Sequence, residues 1–329
     1  MVEQEGIRDF GVTSDILSYR LCPRRYGFFK HRKFTQAANT ALFYGKTIHQ
    51  TLDYCHLFYS GRLDGTEGGQ VPSMEQVSEY FSRVEMALKA QGISSVNRDV
   101  RNHALAVVQL FNLLLGNYYY GMIEDTECHL RAVRVPDDGA SDQYIVSGVV
   151  DVIVDDAGAR EIWDYKGGKI DSRTREYKYY ELQAKGYCYL YEEEFGARPK
   201  LGRVVYLGDL YKLVEKKARR PVKGFLFEED VEGRLKWNGA WGERLRREIR
   251  NPVEVLGEIS QVVPFDRTQV DEALRFFDKT VRKIREELKK PFHRQWKVRA
   301  KPRESACTFC EFKYSCKTRK PKENVPPLY

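Results

Sequence analysis

The sequence predicts an α/β chain, and three observations carry that reading. Hydrophobic residues recur at helical spacing through the first third, the pattern changes at Glu127 to short Val- and Ile-rich runs, and a helix and a further strand follow. Thr13-Ser14-Asp15 ahead of Ile16, Leu17 and Tyr19 reads as a helix N-terminus, with Cys22-Pro23 just beyond its first turns. Helices are expected over 38–58, 74–89 and 102–123, with a glycine-rich loop at 61–69. The first third is thus expected to be helical. Strands are expected at 127–135, 144–154 and 160–166, separated by turns at 136–139 and 155–159, as an antiparallel meander. Residues 176–195 read as a Tyr-rich helix, 203–207 as a strand and 270–290 as a long charged helix, whereas 208–263 shows no assignable pattern. The chain therefore divides into an N-terminal helical region (1–125), a core (126–207), an unassigned insertion (208–263) and a C-terminal helix with a basic, cysteine-bearing end (264–329).

A chain of 329 residues, 42% of them hydrophobic, has ample core to fold without disulfides. Its long apolar run at 104–115 is broken by Gln109 and Asn112 and is too short for a bilayer, so no membrane span is expected. The acidic start, Met1-Val-Glu-Gln-Glu-Gly, lacks the marks of a signal peptide, and a cytoplasmic location is expected. Net charge is +8, with basic clusters at 216–220, 244–250 and 289–303. These suit a polyanionic partner, although such runs are as often a solvated face. There are seven cysteines: Cys22, Cys307, Cys310 and Cys316 lie toward the ends, while Cys55, Cys128 and Cys188 are scattered. An odd count in this distribution favours thiolate ligation over a disulfide framework.

Asp151 lies among Val149, Val150 and Ile153, and Asp164-Tyr165-Lys166 ends the next strand. A tight turn at 155–159 joins the two strands as a hairpin, so the two carboxylates converge. Close carboxylates repel unless a cation lies between them, and oxygen ligation suits Mg²⁺ or Mn²⁺. Lys166 lies two positions from Asp164, on the same strand face. Two carboxylates, a metal and a lysine are what phosphodiester hydrolysis requires. The alternative is a pair of strand-end aspartates with a surface salt bridge.

Gly148-Val-Val-Asp151, Asp164-Tyr165-Lys166 and Gln183-x-x-x-Tyr187 together resemble the signature of RecB-type PD-(D/E)XK nucleases. The resemblance implies a restriction-endonuclease-like core, a mixed sheet flanked by helices. It implies metal binding by Asp151, Asp164 and the Tyr165 backbone carbonyl, catalytic assistance by Lys166, and a helix whose Gln183 and Tyr187 contact the core and the DNA strand. Within Gly45-x-x-x-His49 it implies His49 as a further metal ligand, and it sets Glu127, at the start of the first strand, near the metals. His56 and His103 match no such pattern and are read as structural. Gly45-Lys46-Thr47 is no phosphate loop, since position 40 is Thr where glycine is required. The resemblance implies a nuclease without its own translocase, and it does not extend over 208–263.

Cys307-x-x-Cys310 and Cys316 offer three thiolates in one segment, and ligand chemistry alone allows zinc or a cubane cluster. Together with Tyr19-x-x-Cys22-Pro-Arg-x-Tyr26 the arrangement is similar to CRISPR-associated nucleases and the AddB recombination nuclease. That likeness implies a [4Fe-4S] cluster on Cys22, Cys307, Cys310 and Cys316, a clasp between the chain ends. It further implies a DNA exonuclease or end-processing enzyme acting in CRISPR adaptation or recombination and repair, with CRISPR adaptation proteins or a separate helicase as partners. Single-stranded DNA would pass tyrosines such as Tyr177, Tyr179 and Tyr180. The competing readings are a catalytically inactive DNA-binding subunit and a zinc-stabilised interaction module.

Overall fold

The computed structural model describes residues 7–34, 40–95, 97–137, 139, 142–222, 227–229, 235–291 and 294–297, and the single residues 307, 310, 312 and 316. In chain order, strand β1 (Asp9–Gly11) leads through a π-helical turn (Val12–Leu17) to α1 (Ser18–Leu21), α2 (Pro23–Tyr26) and a second π turn (Gly27–His31). Next come α3 (Thr40–Tyr59), α4 (Met74–Ala90) and α5 (Arg98–Phe111), whose path continues through a π turn (Asn112–Gly116) into α6 (Asn117–Tyr119) and a 3-10 turn (Tyr120–Met122). The strands β2 (Ile123–Arg134), β3 (Tyr144–Asp156) and β4 (Ala159–Lys166) follow, then α7 (Arg175–Phe195), β5 (Leu201–Tyr206) and α8 (Leu207–Ala218). The remainder is β6 (Phe227–Glu229), β7 (Leu235–Trp237), α9 (Gly239–Glu248), α10 (Pro252–Glu258), β8 (Ser260–Pro264) and α11 (Arg267–Lys289). Among the described residues no helix is long and apolar enough to cross a membrane.

The chain forms two compact units. The first comprises Met1–Ala37, Arg131–Gly148 and Arg267–Tyr329. In it β1 pairs in parallel with the start of β3, Phe10 opposite Val146. Asp278 of α11 is buried there and accepts bonds from Arg134 Nη2 at 2.8 Å and the Tyr144 hydroxyl at 2.7 Å. A buried carboxylate is tolerated only when paired in this way.

The second unit comprises Ala38–Leu130 and Val149–Asp266. β3 pairs antiparallel with β4, β4 parallel with β5, and β5 antiparallel with β8, giving the expected mixed sheet. Strand alternation divides its side chains. Val152, Val154, Trp163, Tyr165 and Val205 join a core with Ile48 and Leu52 of α3 and Leu105 and Val108 of α5, while Val204 and Tyr206 pack with Ala184 of α7. Burying a large apolar side chain in such a core contributes about 1.5–3 kcal/mol. Gly202 lets α7 close on β5, since a Cβ there would lie 3.0 Å from the Ala184 Cβ and 3.2 Å from Cys188 Sγ. The helices begin where capping chemistry allows: Ser73 and Gln76 form a reciprocal capping box on α4, and Asn97 Oδ1 accepts the Asp99 N–H on α5.

Four expectations need correction. The first third is not wholly helical, because β1 precedes α1; three residues are too few to show a period. The helix expected at 102–123 starts at Arg98 and gives way to a π turn at Asn112, whose amide donates to the Pro72 carbonyl at 2.8 Å. The first long strand starts at Ile123 rather than at Glu127, its opening masked by the polar run Glu124-Asp125-Thr126. The unassigned stretch 208–263 holds α8 to α10, the β6–β7 pair and β8, the strand hydrogen-bonded to β5. Residues 38–39 of the expected α3, position 138 of the first expected turn, and 292–293 and 298–303 of the third basic cluster lie outside the described residues.

Candidate metal centre

The β3–β4 turn sets the geometry. Ala157 and Gly158 adopt left-handed backbone, with φ of 52° and 89°, and the Gly158 N–H donates to Asp155 Oδ1 at 2.5 Å. The register that follows puts Val152 opposite Trp163, so Asp151 and Asp164 are the residues next to that pair on the two strands. Asp151 Oδ2 accepts the Tyr165 N–H at 2.5 Å, and its Oδ1 lies 3.4 Å from His49 Nδ1. Glu127 lies close to the same pair. His49, Glu127 and Asp151 each bring one ligand atom within 4.8 Å of the others, and no other such set of three His, Cys, Asp or Glu occurs among the described residues.

Each member reaches the site from a different element. His49 lies on α3 between Ile48 and Leu52, which anchor the helix in the core. Glu127 is exposed as a residue and lies inside β2 with φ of +49°. Left-handed backbone at a non-glycine residue costs about 1–3 kcal/mol and persists where the surroundings fix it. Here the Thr126 hydroxyl donates to Asp53 Oδ1 at 2.7 Å, holding the preceding residue. Asp53 was not legible as a positioning residue in the sequence; its one signal is a place four residues after His49, on the same helix face.

Asp164 is 3% exposed, and its neighbours hold it from two sides. Gln183 Nε2 donates to its Oδ1 at 2.8 Å and also to the Tyr187 hydroxyl at 2.8 Å, while Lys166 Nζ lies 2.5 Å from its Oδ2. Lys166 also stands 4.9 Å from the centre of the Tyr180 ring. The structure thus brings Asp151, Asp164, Lys166, Gln183, Tyr187, His49 and Glu127 into one neighbourhood; Tyr165 turns its ring into the core and gives its N–H to Asp151. Tyr177 and Tyr180 pack on the Val204–Val263 cluster rather than forming an open ledge. His56 is buried, and burial holds its pKa down to about 3; His103 lies 2.9 Å from the Tyr44 hydroxyl through Nδ1.

Protonation ties the groups together. Burial and then Asp151 push Glu127 up to about 7. Burial also pushes Asp164 up to about 6, against the opposing charge of Lys166. At His49 burial disfavours the charged ring, yet Asp151 outweighs it and the pKa is raised. Raised values mean that protons compete with a cation for these atoms up to neutral pH. Mn²⁺ affinity is therefore expected to rise with pH. One group titrating at about 7 alone gives about tenfold weaker binding at pH 6 than at pH 8, which calorimetry at the two pH values would measure.

The cysteines divide by unit. Cys22 sits between α1 and α2, half-buried, and Cys307, Cys310 and Cys316 of the same unit are half-buried too, with the Cys310 N–H donating to the Cys307 carbonyl at 3.3 Å. Cys55 and Cys188 are buried in the other unit, and none of the seven is in a disulfide. The basic clusters are partly neutralised: Lys217 pairs with Glu254 and Glu258, Arg244 with Glu248, and Arg246 with Glu243.

Comparison with known proteins matches residues 13–317 to the family model of the PD-(D/E)XK nuclease superfamily. A search of curated proteins finds no significant match. A solved structure described as "Crystal structure of SSO0001" is similar over 92% of this chain and 95% of that chain, at 11% sequence identity and a TM-score of 0.30.

Proposed function

The chain belongs to the PD-(D/E)XK nuclease superfamily, and on that premise we propose that it hydrolyses DNA phosphodiester bonds at the centre formed by His49, Glu127, Asp151, Asp164 and Lys166. The observation that carries the reading is the convergence of His49, Glu127 and Asp151 within 4.8 Å, a donor set of one imidazole and two carboxylates that suits Mn²⁺ or Mg²⁺. Asp164 and the Tyr165 carbonyl complete the proposed ligand set. A bound ion there supplies Lewis-acid polarisation of the phosphate and a more acidic water.

The chain's own groups do the rest. Asp151 fixes the His49 ring on one side and the Tyr165 backbone on the other. Lys166 stays protonated, because Asp164 and Asp151 outweigh its burial, and it presents a cation to the charge that develops on the phosphate. Gln183, held between Asp164 and Tyr187, keeps Asp164 oriented. All these groups are in place, which favours an enzyme over an inactive DNA-binding subunit.

The finer reading is an exonuclease on single-stranded DNA or DNA ends, of the RecB-like branch, working in CRISPR adaptation or repair beside a separate helicase. Its support is the likeness of the cysteine segments. The test is Mn²⁺-dependent degradation of 5′- and 3′-labelled single strands: processive loss from one end supports it, and internal cuts or an inert protein refute it.

For the four cysteines we propose a [4Fe-4S] cluster. Four half-buried cysteines outside any disulfide, from opposite ends of the sequence and in one unit, fit such a cluster, and Cys188, sealed against Gly202, does not. Cys22→Ala is expected to lose most bound iron and to melt at lower temperature, while Cys188→Ala keeps its iron. Full iron content in Cys22→Ala, measured per chain, refutes the assignment.

A further inference from the structure

The fold brings together two lysines that no basic run in the sequence contains. After Lys166 the chain turns over the start of α8, where the Gly208 N–H donates to the Gly168 carbonyl at 3.1 Å. Only glycine fits at 208, since a Cβ there would lie 2.6 Å from the Gly167 oxygen and 2.7 Å from the Gly168 oxygen. Two residues further on, the Ile170 N–H donates to Asp209 Oδ2 at 2.6 Å. Lys169 is therefore pinned on both sides against the first turn of α8. Lys212 stands four residues after Gly208, on the same helix face. Both lysines are exposed, and the backbone bonds that seat residues 168–170 on the first turn of α8 set Lys169 beside the turn that carries Lys212.

Like charges so placed repel unless something neutralises them. Some desolvation and then the Lys212 charge hold the Lys169 pKa below its ordinary value, while Asp209 and Glu215 act in the opposite sense. Those carboxylates are engaged elsewhere, Asp209 with the Ile170 N–H and Glu215 with the Val222 N–H at 3.2 Å. Neither lysine forms an ion pair within 4.0 Å among the described residues. His103, which lies 4.6 Å from the Tyr211 ring centre, adds no charge, because burial and then Lys169 lower its pKa.

We propose that Lys169 and Lys212 form a phosphate-binding subsite that grips a backbone phosphate of the substrate strand beside the one being cleaved. The inference rests on the nuclease reading of the metal centre. Three residues of chain span at most about 11 Å, so a phosphate held by Lys169 belongs to a nucleotide close to the one that meets Lys166. Two ammonium donors bind a phosphate as point charges and read no base. The subsite therefore positions the strand without choosing its sequence.

The test compares wild type, the Lys169→Ala/Lys212→Ala double variant and a Lys169→Arg/Lys212→Arg variant that keeps the charge. Pyrophosphate is titrated into the metal-free proteins by calorimetry, and affinity for a single-stranded oligonucleotide is measured over a range of salt. The alanine variant is expected to lose about tenfold or more in pyrophosphate affinity, and the arginine variant to retain it. The slope of log affinity against log salt is expected to fall by about 0.7 in the alanine variant, the loss of one phosphate contact on a single strand. Equal pyrophosphate affinity in wild type and alanine variant overturns the subsite. Loss of pyrophosphate binding with an unchanged oligonucleotide slope overturns its assignment to the substrate strand. A wild type that binds pyrophosphate through these lysines but neither binds nor cleaves DNA leaves the anion subsite standing and sinks the nuclease reading instead.

Discussion

Asp151→Asn is expected to cleave at least about a thousandfold more slowly than wild type while keeping its fold. The change is nearly isosteric, and an asparagine oxygen can still accept the Tyr165 N–H that Asp151 Oδ2 accepts at 2.5 Å. What is lost is a negative charge 3.4 Å from His49 and next to Glu127. Electrostatic stabilisation by a bound cation is worth several kcal/mol, and about 4 kcal/mol corresponds to a thousandfold in rate. Affinity for DNA is expected to change little, since phosphate attraction is a separate contribution. Single-turnover rates in Mn²⁺ measure the effect, and a rate within tenfold of wild type contradicts the role given to Asp151. Loss of the neighbouring charge also releases Glu127, whose pKa is expected to move down from about 7 toward an ordinary glutamate value.

Lys166→Met is expected to slow cleavage by about a hundred- to a thousandfold, the usual cost of removing one group that stabilises transition-state charge. It differs from Asp151→Asn in its effect on the ion. Removing a cation 2.5 Å from Asp164 Oδ2 takes away a charge that opposes metal binding, so Mn²⁺ affinity at pH 8 is expected to be unchanged or tighter. The pH dependence distinguishes the two further. Lys166 lowers the Asp164 pKa, which stands at about 6 with the lysine present. Without the lysine that value rises, and the acid limb of the residual activity shifts to higher pH. If metal affinity and cleavage fall together, Lys166 holds the site's shape rather than meeting the phosphate.

Asp151, Asp164 and Lys166 were legible because strand alternation and a short turn leave little freedom. Once the turn at Ala157 and Gly158 is placed, the register of β3 on β4 follows. His49 and Glu127 stand out only through the family resemblance, since one histidine on a helix and one acid in a polar run carry no period. The reason Glu127 reaches the site, left-handed backbone inside β2 braced by Thr126 and Asp53, lies in tertiary packing that residue order does not encode. β8 carries no legible pattern because Ser260, Gln261 and Pro264 dilute its two valines, and α8 carries little because its apolar stripe of Leu210, Leu213 and Val214 is short. Charge is no easier to read from residue order. Lys217, Arg244 and Arg246 stand in conspicuous basic runs yet are neutralised on the surface, whereas Lys169 and Lys212 stand 43 positions apart and meet only in the fold.

Titration of Mn²⁺ into the DNA-free protein at pH 8, wild type beside Asp151→Asn, tests whether His49, Glu127 and Asp151 hold a divalent cation, without any assumption about substrate. Wild type is expected to bind Mn²⁺ saturably and the variant about a hundredfold or more weakly, in keeping with the loss of a charged ligand from a site of few donors. Equal Mn²⁺ affinity in the two proteins would contradict that ligand set.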